Sequence, residues 1–292
     1  MKNDQHDIKS DEQSLADSHY TGISWVGMSK IQSFIIEEDR QVPAELDLFV
    51  NLLAGHRGIH MSRLYQLQME SLLGKKITAL QIKDILMRSI VSQDGISTQA
   101  RMKISYQSLL DTKSLKSNMN GFRSYPVEIN AEVDGKGEFR LTTKFILTYS
   151  STCPQSAKLS KEFFKDNHLT PVELQQWYES EQIFPATPHA QRSHMTIELV
   201  VKEDSALNIS DWIQQIESCL QTNVQTAVKK ADEMEFARLN AAHTMFCEDA
   251  VRKVAHFLDS NSSLSGYRLT ADHLESLHPH NATSQLIKNY LL

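Results

Sequence analysis

Residues 123–149 read RSYPVEINAEVDGKGEFRLTTKFILTY. Apolar and polar residues alternate from Arg123 to Val133 and again from Glu138 to Tyr149. Alternation with a period of two is the signature of a strand with one buried face. The polar turn Asp134-Gly135-Lys136-Gly137 sits between the runs, and an Asp-Gly between two such runs predicts a β-hairpin. Moving upstream, Gln99–Leu109 and Ala44–Ala54 (AELDLFVNLLA) also read as strands. Between them, residues 62–72 and 78–91 place apolar side chains three and four apart and read as amphipathic helices. Downstream, helical patterns cover about 156–165, 170–181, 209–221 and 224–258, with strands at 194–202 and 265–274. The expected fold is α+β, with antiparallel strands and helix pairs repeated in two modules. Residues 1–20 form a polar tail, residues 21–135 the first module and residues 136–292 the second.

The chain has 292 residues, of which 40% are hydrophobic and 23% charged, enough apolar material for a substantial core. Its net charge of −6 gives no basic field to favour nucleic acid or an anionic membrane. The N-terminal stretch MKNDQHDIKSDEQSLADSHY has no apolar core of a secretory signal, and no apolar run approaches the roughly 20 residues of a transmembrane helix. Cys153, Cys219 and Cys247 are scattered and odd in number, which argues against a disulfide framework and for a reducing cytoplasm. No P-loop, Rossmann, zincin or nucleophile-elbow motif is present.

Several polar segments carry residues able to do chemistry. In SSTCPQS (150–156), Cys153 falls between a strand and a helix, where helix N-terminal N–H groups favour a thiolate. Such a sulfur serves as nucleophile or soft metal ligand, and the same residue also reads as an inert buried thiol. In ATPHAQRS (186–193), His189 and Arg192 stand together, and imidazole is the commonest metal ligand. In ESLHPHN (275–281), Glu275, His278 and His280 are suited to metal binding or proton transfer, or form a polar turn; Pro279 keeps the two imidazoles off one helical face. Glu233 and Glu248 lie in the helical stretch 231–258, whose acids read first as a solvated face. Glu248 follows the apolar Met245-Phe246-Cys247, and a carboxylate there suits the two adjacent N–H donors of guanine. RGIHMSR (57–63) places Arg57, His60 and Arg63 at a helix start, either as a polyphosphate cradle or as solvent-exposed charge.

GISWVGMS (22–29), RGIHMSR (57–63), LTYSSTCP (147–154), ATPHAQRS (186–193), MFCEDAVR (245–252) and ESLHPHNA (275–282) occur in an order that resembles the type IB GTP cyclohydrolase I family. The resemblance spans nearly the whole chain after the tail. It implies two tunnelling-fold modules, a cytoplasmic homotetramer with sites between subunits, and conversion of GTP and water to 7,8-dihydroneopterin triphosphate and formate, the entry to folate-type pterins. By position it implies Cys153, His189 and Glu233 as ligands of a divalent metal ion, zinc or manganese. It implies Cys153, His278 and Glu275 as catalytic residues, Glu248 as the purine anchor, and Arg192, His60 and Arg63 among the groups that hold substrate. The chain departs from the family's Ser-Cys-Pro-Cys-Ser, having Gln155 where the second Cys would stand. That departure keeps open a catalytically impaired purine- or pterin-binding relative. A nitrile reductase of the queuosine pathway, with Cys153 as nucleophile, is the rival within the fold. Glu233 and Glu248 are fifteen residues apart, about 22 Å on one unbroken helix. Either that helix breaks or one of the two acts in a neighbouring subunit, and the second alternative is preferred.

Overall fold

The computed structural model describes residues 19–166, 170–180 and 186–290, and their side chains apart from those of 164–166. The expected tail thus lies outside the described residues except for its last two positions. Strands β1 (Ile23–Glu37) and β2 (Arg40–Leu52) are followed by helices α1 (Met61–Leu72) and α2 (Ala79–Val91), then strands β3 (Ala100–Lys113) and β4 (Asn120–Val133). The second half runs β5 (Phe139–Thr152), α3 (Pro154–Asp166), α4 (Pro171–Glu179), β6 (Ala190–Val201), α5 (Ile209–Leu220), α6 (Lys230–Ala242), α7 (Cys247–Asp259), β7 (Leu264–His273) and β8 (Ala282–Lys288). All the strands join one antiparallel sheet in chain order, β1 to β8. The α+β reading holds, with two differences. The halves share a continuous sheet through β4 and β5. The second half also has a third helix between β6 and β7, besides α3 and α4 between β5 and β6.

One sheet face is covered by helices and the other is open. Along β6 the residues Gln191, Ser193, Met195, Ile197, Leu199 and Val201 are buried, while those between them are half-buried or exposed. The matching stripe of α5 is Ile209, Trp212, Ile213, Ile216 and Leu220, spaced three and four apart. Glu217 interrupts it and is held by charge. Its carboxylate accepts from Arg123 Nη2 at 2.8 Å and from the Tyr125 hydroxyl, tying α5 to β4. Helix α2 starts where Thr78 accepts the Gln81 N–H and the Gln81 side chain accepts the Thr78 N–H, a reciprocal cap.

Four local expectations change. The Asp134-Gly135 turn is a five-residue loop, because Val133 pairs with Phe139. Asp134 Oδ1 accepts from the N–H groups of Lys136 and Glu138, and Gly137, at φ 82°, supplies the left-handed residue. β1 escapes the alternation test because its register shifts between Ile23 and Val26 and between Met28 and Ile31, with Lys30 at φ 58°. β8 (ATSQLIK) escapes it as a polar edge strand that buries no residue fully. The helix expected over 224–258 begins only at Lys230 and breaks between Ala242 and Cys247. There Met245 is buried and donates its N–H to Thr152 O, and Phe246 donates its N–H to Asp249 Oδ2 at the start of α7. The single helix expected over 224–258 is therefore corrected to two, α6 and α7.

At the far end of β5, Tyr149 pairs with Ser193 and Ser193 with His273. The small serine between them lets the Tyr149 hydroxyl reach His273 Nε2 at 2.9 Å, both side chains being buried. Burial pushes the His273 imidazole down to about 4, against the opposing pull of Glu248, Asp272 and Asp249.

Two stability predictions follow from these buried groups. Arg123→Met leaves the Glu217 carboxylate buried without its cation and lowers stability by about 3–5 kcal/mol in urea unfolding. Arg40→Met, at the exposed Arg40–Asp111 pair, has a far smaller effect; equal losses would contradict the weight given to burial. For His273, the unfolded imidazole titrates near 6.5 and the folded one near 4, so between those values the unfolded chain holds the extra proton. Its contribution is complete above pH 6.5 and falls, by on the order of 3 kcal/mol, as pH drops toward 4. In a chelator-containing buffer His273→Gln should flatten that part of the stability–pH curve, and an unchanged slope would refute the assignment.

Candidate active site

Cys153 occupies the cap position of α3. Pro154 opens the helix, the Ala157 N–H bonds to Cys153 O, and the Ser156 N–H points at Cys153 Sγ at 3.4 Å. The sulfur thus takes the place that a Ser or Asp oxygen takes in an ordinary N-cap. His189 meets it through the backbone. Thr152 pairs with Ala190 as the last rung of the β5–β6 ladder, and one step beyond, the Cys153 N–H donates to His189 O at 3.2 Å. The Ser156 hydroxyl accepts the His189 N–H at 3.1 Å, fastening the histidine to the helix that Cys153 starts.

Glu275 arrives from the next strand. It follows β7, the neighbour of β6, and the Leu274 N–H donates to Arg192 O. Its Oε2 lies 3.6 Å from His189 Nδ1, with both side chains largely buried. The same Nδ1 is 3.1 Å from Gln191 Oε1. Behind it the Gln191 amide donates to Ser151 Oγ at 2.8 Å, and Ser151 Oγ lies 2.7 Å from Ser193 Oγ. Helix α6 touches the cluster through Asn240, whose Oδ1 is 3.5 Å from Thr152 Oγ1. Glu248 stands exposed in the first turn of α7, just beyond the Met245–Thr152 contact, and accepts the Cys247 thiol at 3.3 Å.

The remaining expected site residues are placed differently. Glu233 is exposed in the first turn of α6. Its neighbour Asp232 is the buried acid of that segment, accepting N–H groups from Lys116, Ser117 and Lys229 and the Ser117 hydroxyl. These bonds hold its carboxyl well below the usual carboxylate range, the Ser117 hydroxyl contributing most. His278 is exposed on the β7–β8 connection, its ring stacked on His280 with centroids 4.9 Å apart, and Glu275 turns away from it toward His189. Arg192 is exposed on the open sheet face, opposite to Gln191 and Ser193. His60 and Arg63 sit at the start of α1, beyond the end of β2. Through the registers Val50–Ala100–Val133–Phe139, that end adjoins the start of β5, whereas Cys153 follows its finish. A strand of 14 residues separates the two ends, on the order of 40 Å. Arg63 Nη1 bonds Ser92 O and Asp94 Oδ2. Gln155, in place of the second cysteine, is exposed in the first turn of α3.

Among the described residues no three His, Cys, Asp or Glu side chains converge as a finished metal cage. The donor chemistry nevertheless suits a divalent ion. A sulfur and an imidazole occupy neighbouring positions, the imidazole's Nδ1 already has acceptors, and a carboxylate is at hand. Cys219 and Cys247 are free thiols in α5 and α7, and burial pushes both upward, as fits packing rather than ligation. Gln191 is the residue that motif reading passed over. Its signal was its spacing, because residues two apart in extended chain share a face, and 191 shares that of His189.

A family model described as type I GTP cyclohydrolase folE2 matches residues 8–284. Curated relatives named GTP cyclohydrolase FolE2 include that of Bdellovibrio bacteriovorus, 37% identical with 94% of this chain and 93% of the relative covered. That of Klebsiella pneumoniae is 38% identical over 92% and 94%, and that of Hydrogenovibrio crunogenus 37% identical over 91% and 90%. Among solved structures, uricase from Arthrobacter globiformis aligns at 10% identity and a TM-score of 0.49, over 91% of this chain and 92% of the other. Carrying Cys153, His189 and Glu275 at the joined ends of β5, β6 and β7, the chain belongs to the FolE2 family of type I GTP cyclohydrolases.

Proposed function

We propose that this protein is a GTP cyclohydrolase I of the type IB kind, converting GTP and water to 7,8-dihydroneopterin triphosphate and formate as the entry to folate-type pterins. Family membership supports the reaction. The observation that carries the site is the Cys153–His189 pairing at the end of the β5–β6 ladder, with Glu275 beside His189. Cys153 and His189 would hold a divalent metal ion, zinc or manganese, with Glu233 as the further ligand by family position, while Glu275 beside His189 takes a catalytic role. Such an ion supplies Lewis acidity for hydrolysis at C8 of guanine.

The other groups have roles suited to their chemistry. Glu248, an exposed carboxylate in the first turn of α7, accepts the N1 and N2 hydrogens of guanine and fixes the ring. His278 moves protons to the imidazole nitrogens of the base as the five-membered ring opens. Arg192, His60 and Arg63 contribute positive charge and donors for the triphosphate. His60 and Arg63 lie at the opposite end of the sheet from Cys153, so they serve a site together with Cys153 only when they come from another copy of the chain. This supports an oligomer, a tetramer in the family reading, with sites between subunits. Among the described residues no helix is long and apolar enough to cross a membrane, and the proposed setting is the cytoplasm. Gln155 is exposed in the first turn of α3, and the Cys153–His189 pairing forms without a second thiol, which supports an active enzyme over an impaired one.

Incubation with GTP and Mn²⁺ or Zn²⁺ should release formate and yield neopterin fluorescence after oxidation. Cys153→Ala should lower kcat/KM by at least about a hundredfold, and chelation should abolish turnover. Absence of product from the metal-loaded wild type would overturn the assignment. For the shared site, Cys153→Ala and His60→Ala, each inactive alone, should regain turnover when co-expressed in mixed oligomers. Failure of mixed oligomers to recover any activity would remove His60 from a site shared with Cys153.

A further inference from the structure

Gln191 and Ser193 break the apolar stripe of β6, which continues as Met195, Ile197, Leu199 and Val201 on the same buried face. Packing alone would be served by an apolar residue, and a buried carboxamide is costly unless both its ends are bonded. Gln191 is only 8% exposed and both ends are engaged. Its Nε2 donates to Ser151 Oγ at 2.8 Å, and Ser151 is anchored in turn by Ser193 at 2.7 Å. Its Oε1 therefore faces His189 Nδ1, at 3.1 Å, as an acceptor. A second acceptor, Glu275 Oε2, lies 3.6 Å from the same nitrogen. An imidazole nitrogen facing an amide oxygen and a carboxylate carries the ring's proton, which leaves the lone pair of the neutral ring on Nε2.

We propose that Gln191 is a positioning residue: anchored by Ser151 and Ser193, it fixes His189 as the Nδ1–H tautomer and so makes Nε2 the atom available to a divalent cation. This rests on the reading of His189 as a metal ligand and assigns a supporting residue to it. In the observed arrangement the bond from Nε2 to Ser151 Oγ leaves Oε1 as the end that faces the ring. A free glutamine could turn its NH₂ toward Nδ1 and select the opposite tautomer.

The test uses the full-length protein labelled with ¹⁵N-histidine, freed of metal, with His189→Ala to assign the signal. Long-range ¹H–¹⁵N correlation should show His189 protonated at Nδ1. Gln191→Met, close in shape but lacking the acceptor, should shift His189 toward the Nε2–H form. It should also weaken Zn²⁺ binding, measured by competition with a chromophoric chelator, by about 10- to 100-fold. Gln191→Glu, which keeps an acceptor at the same place, should retain the Nδ1–H form and stay within about threefold of wild-type affinity. An Nε2–H His189 in the wild type overturns the proposal, and this spectrum decides even where a variant fails to fold. Unchanged tautomer and affinity in folded Gln191→Met also overturns it. If His189→Ala itself binds Zn²⁺ as tightly as wild type, the metal reading of the site fails instead, a result the Gln191 variants cannot mimic.

Discussion

The backbone ladder between β5 and β6 is the constraint on which the rest depends. It runs unbroken from Leu141–Val201 to Thr152–Ala190 and ends one rung short of Cys153 and His189. Those two residues are thirty-six positions apart in sequence, and an α-helical insertion separates them. Only the register brings them face to face. A slip of one residue would turn every side chain of β6 to the other face. It would expose Met195, Ile197 and Leu199 and remove Gln191 from Ser151. The buried apolar stripe of β6 therefore holds the register, and the register holds the candidate site.

The same rungs explain why the polar groups at this end are tolerated. Tyr149, Ser193 and His273 form one row, and Ser151 and Gln191 face each other in the next. The buried polar side chains of this patch bond across strands, Tyr149 to His273, Ser151 to Ser193, and Gln191 to Ser151. Elsewhere the buried face of the sheet is mainly apolar, with Ser108 and Thr143 as exceptions. The polar patch sits where β5, β6 and β7 end, against the functional edge. A site that must hold its side chains in fixed geometry needs rigid walls, and hydrogen bonds between neighbouring strands supply them with little freedom to relax.

Much of the element content was legible from periodicity. Residues 99–109, 123–133, 138–149, 194–202 and 265–274 read as strands and overlap β3, β4, β5, β6 and β7. Elements that bury one face announce themselves, because burial imposes the alternation. β1 was not legible, since its register shifts break the period, and neither was β8, since an exposed edge has no face to bury. The break at 243–246 was hidden because Met245-Phe246-Cys247 continues an apolar pattern. What ends the helix is a hydrogen bond to Thr152, nearly a hundred residues upstream.

For the site, the sequence by itself determined the ingredients: a sulfur before a helix, an imidazole before a strand, a Glu and two His after another, and the motif order that marks the family. Their chemistry is intrinsic to side chains and short segments, so it can be read locally. Only the tertiary structure decided which of them meet. It put Glu275 beside His189 and not beside His278, and it made Asp232, not Glu233, the buried acid of α6. It sent Arg192 to the open face and set His60 and Arg63 at the far end of the sheet. Those outcomes depend on strand register and on which residues satisfy buried polar atoms, and both are set by contacts between distant segments that no local pattern records.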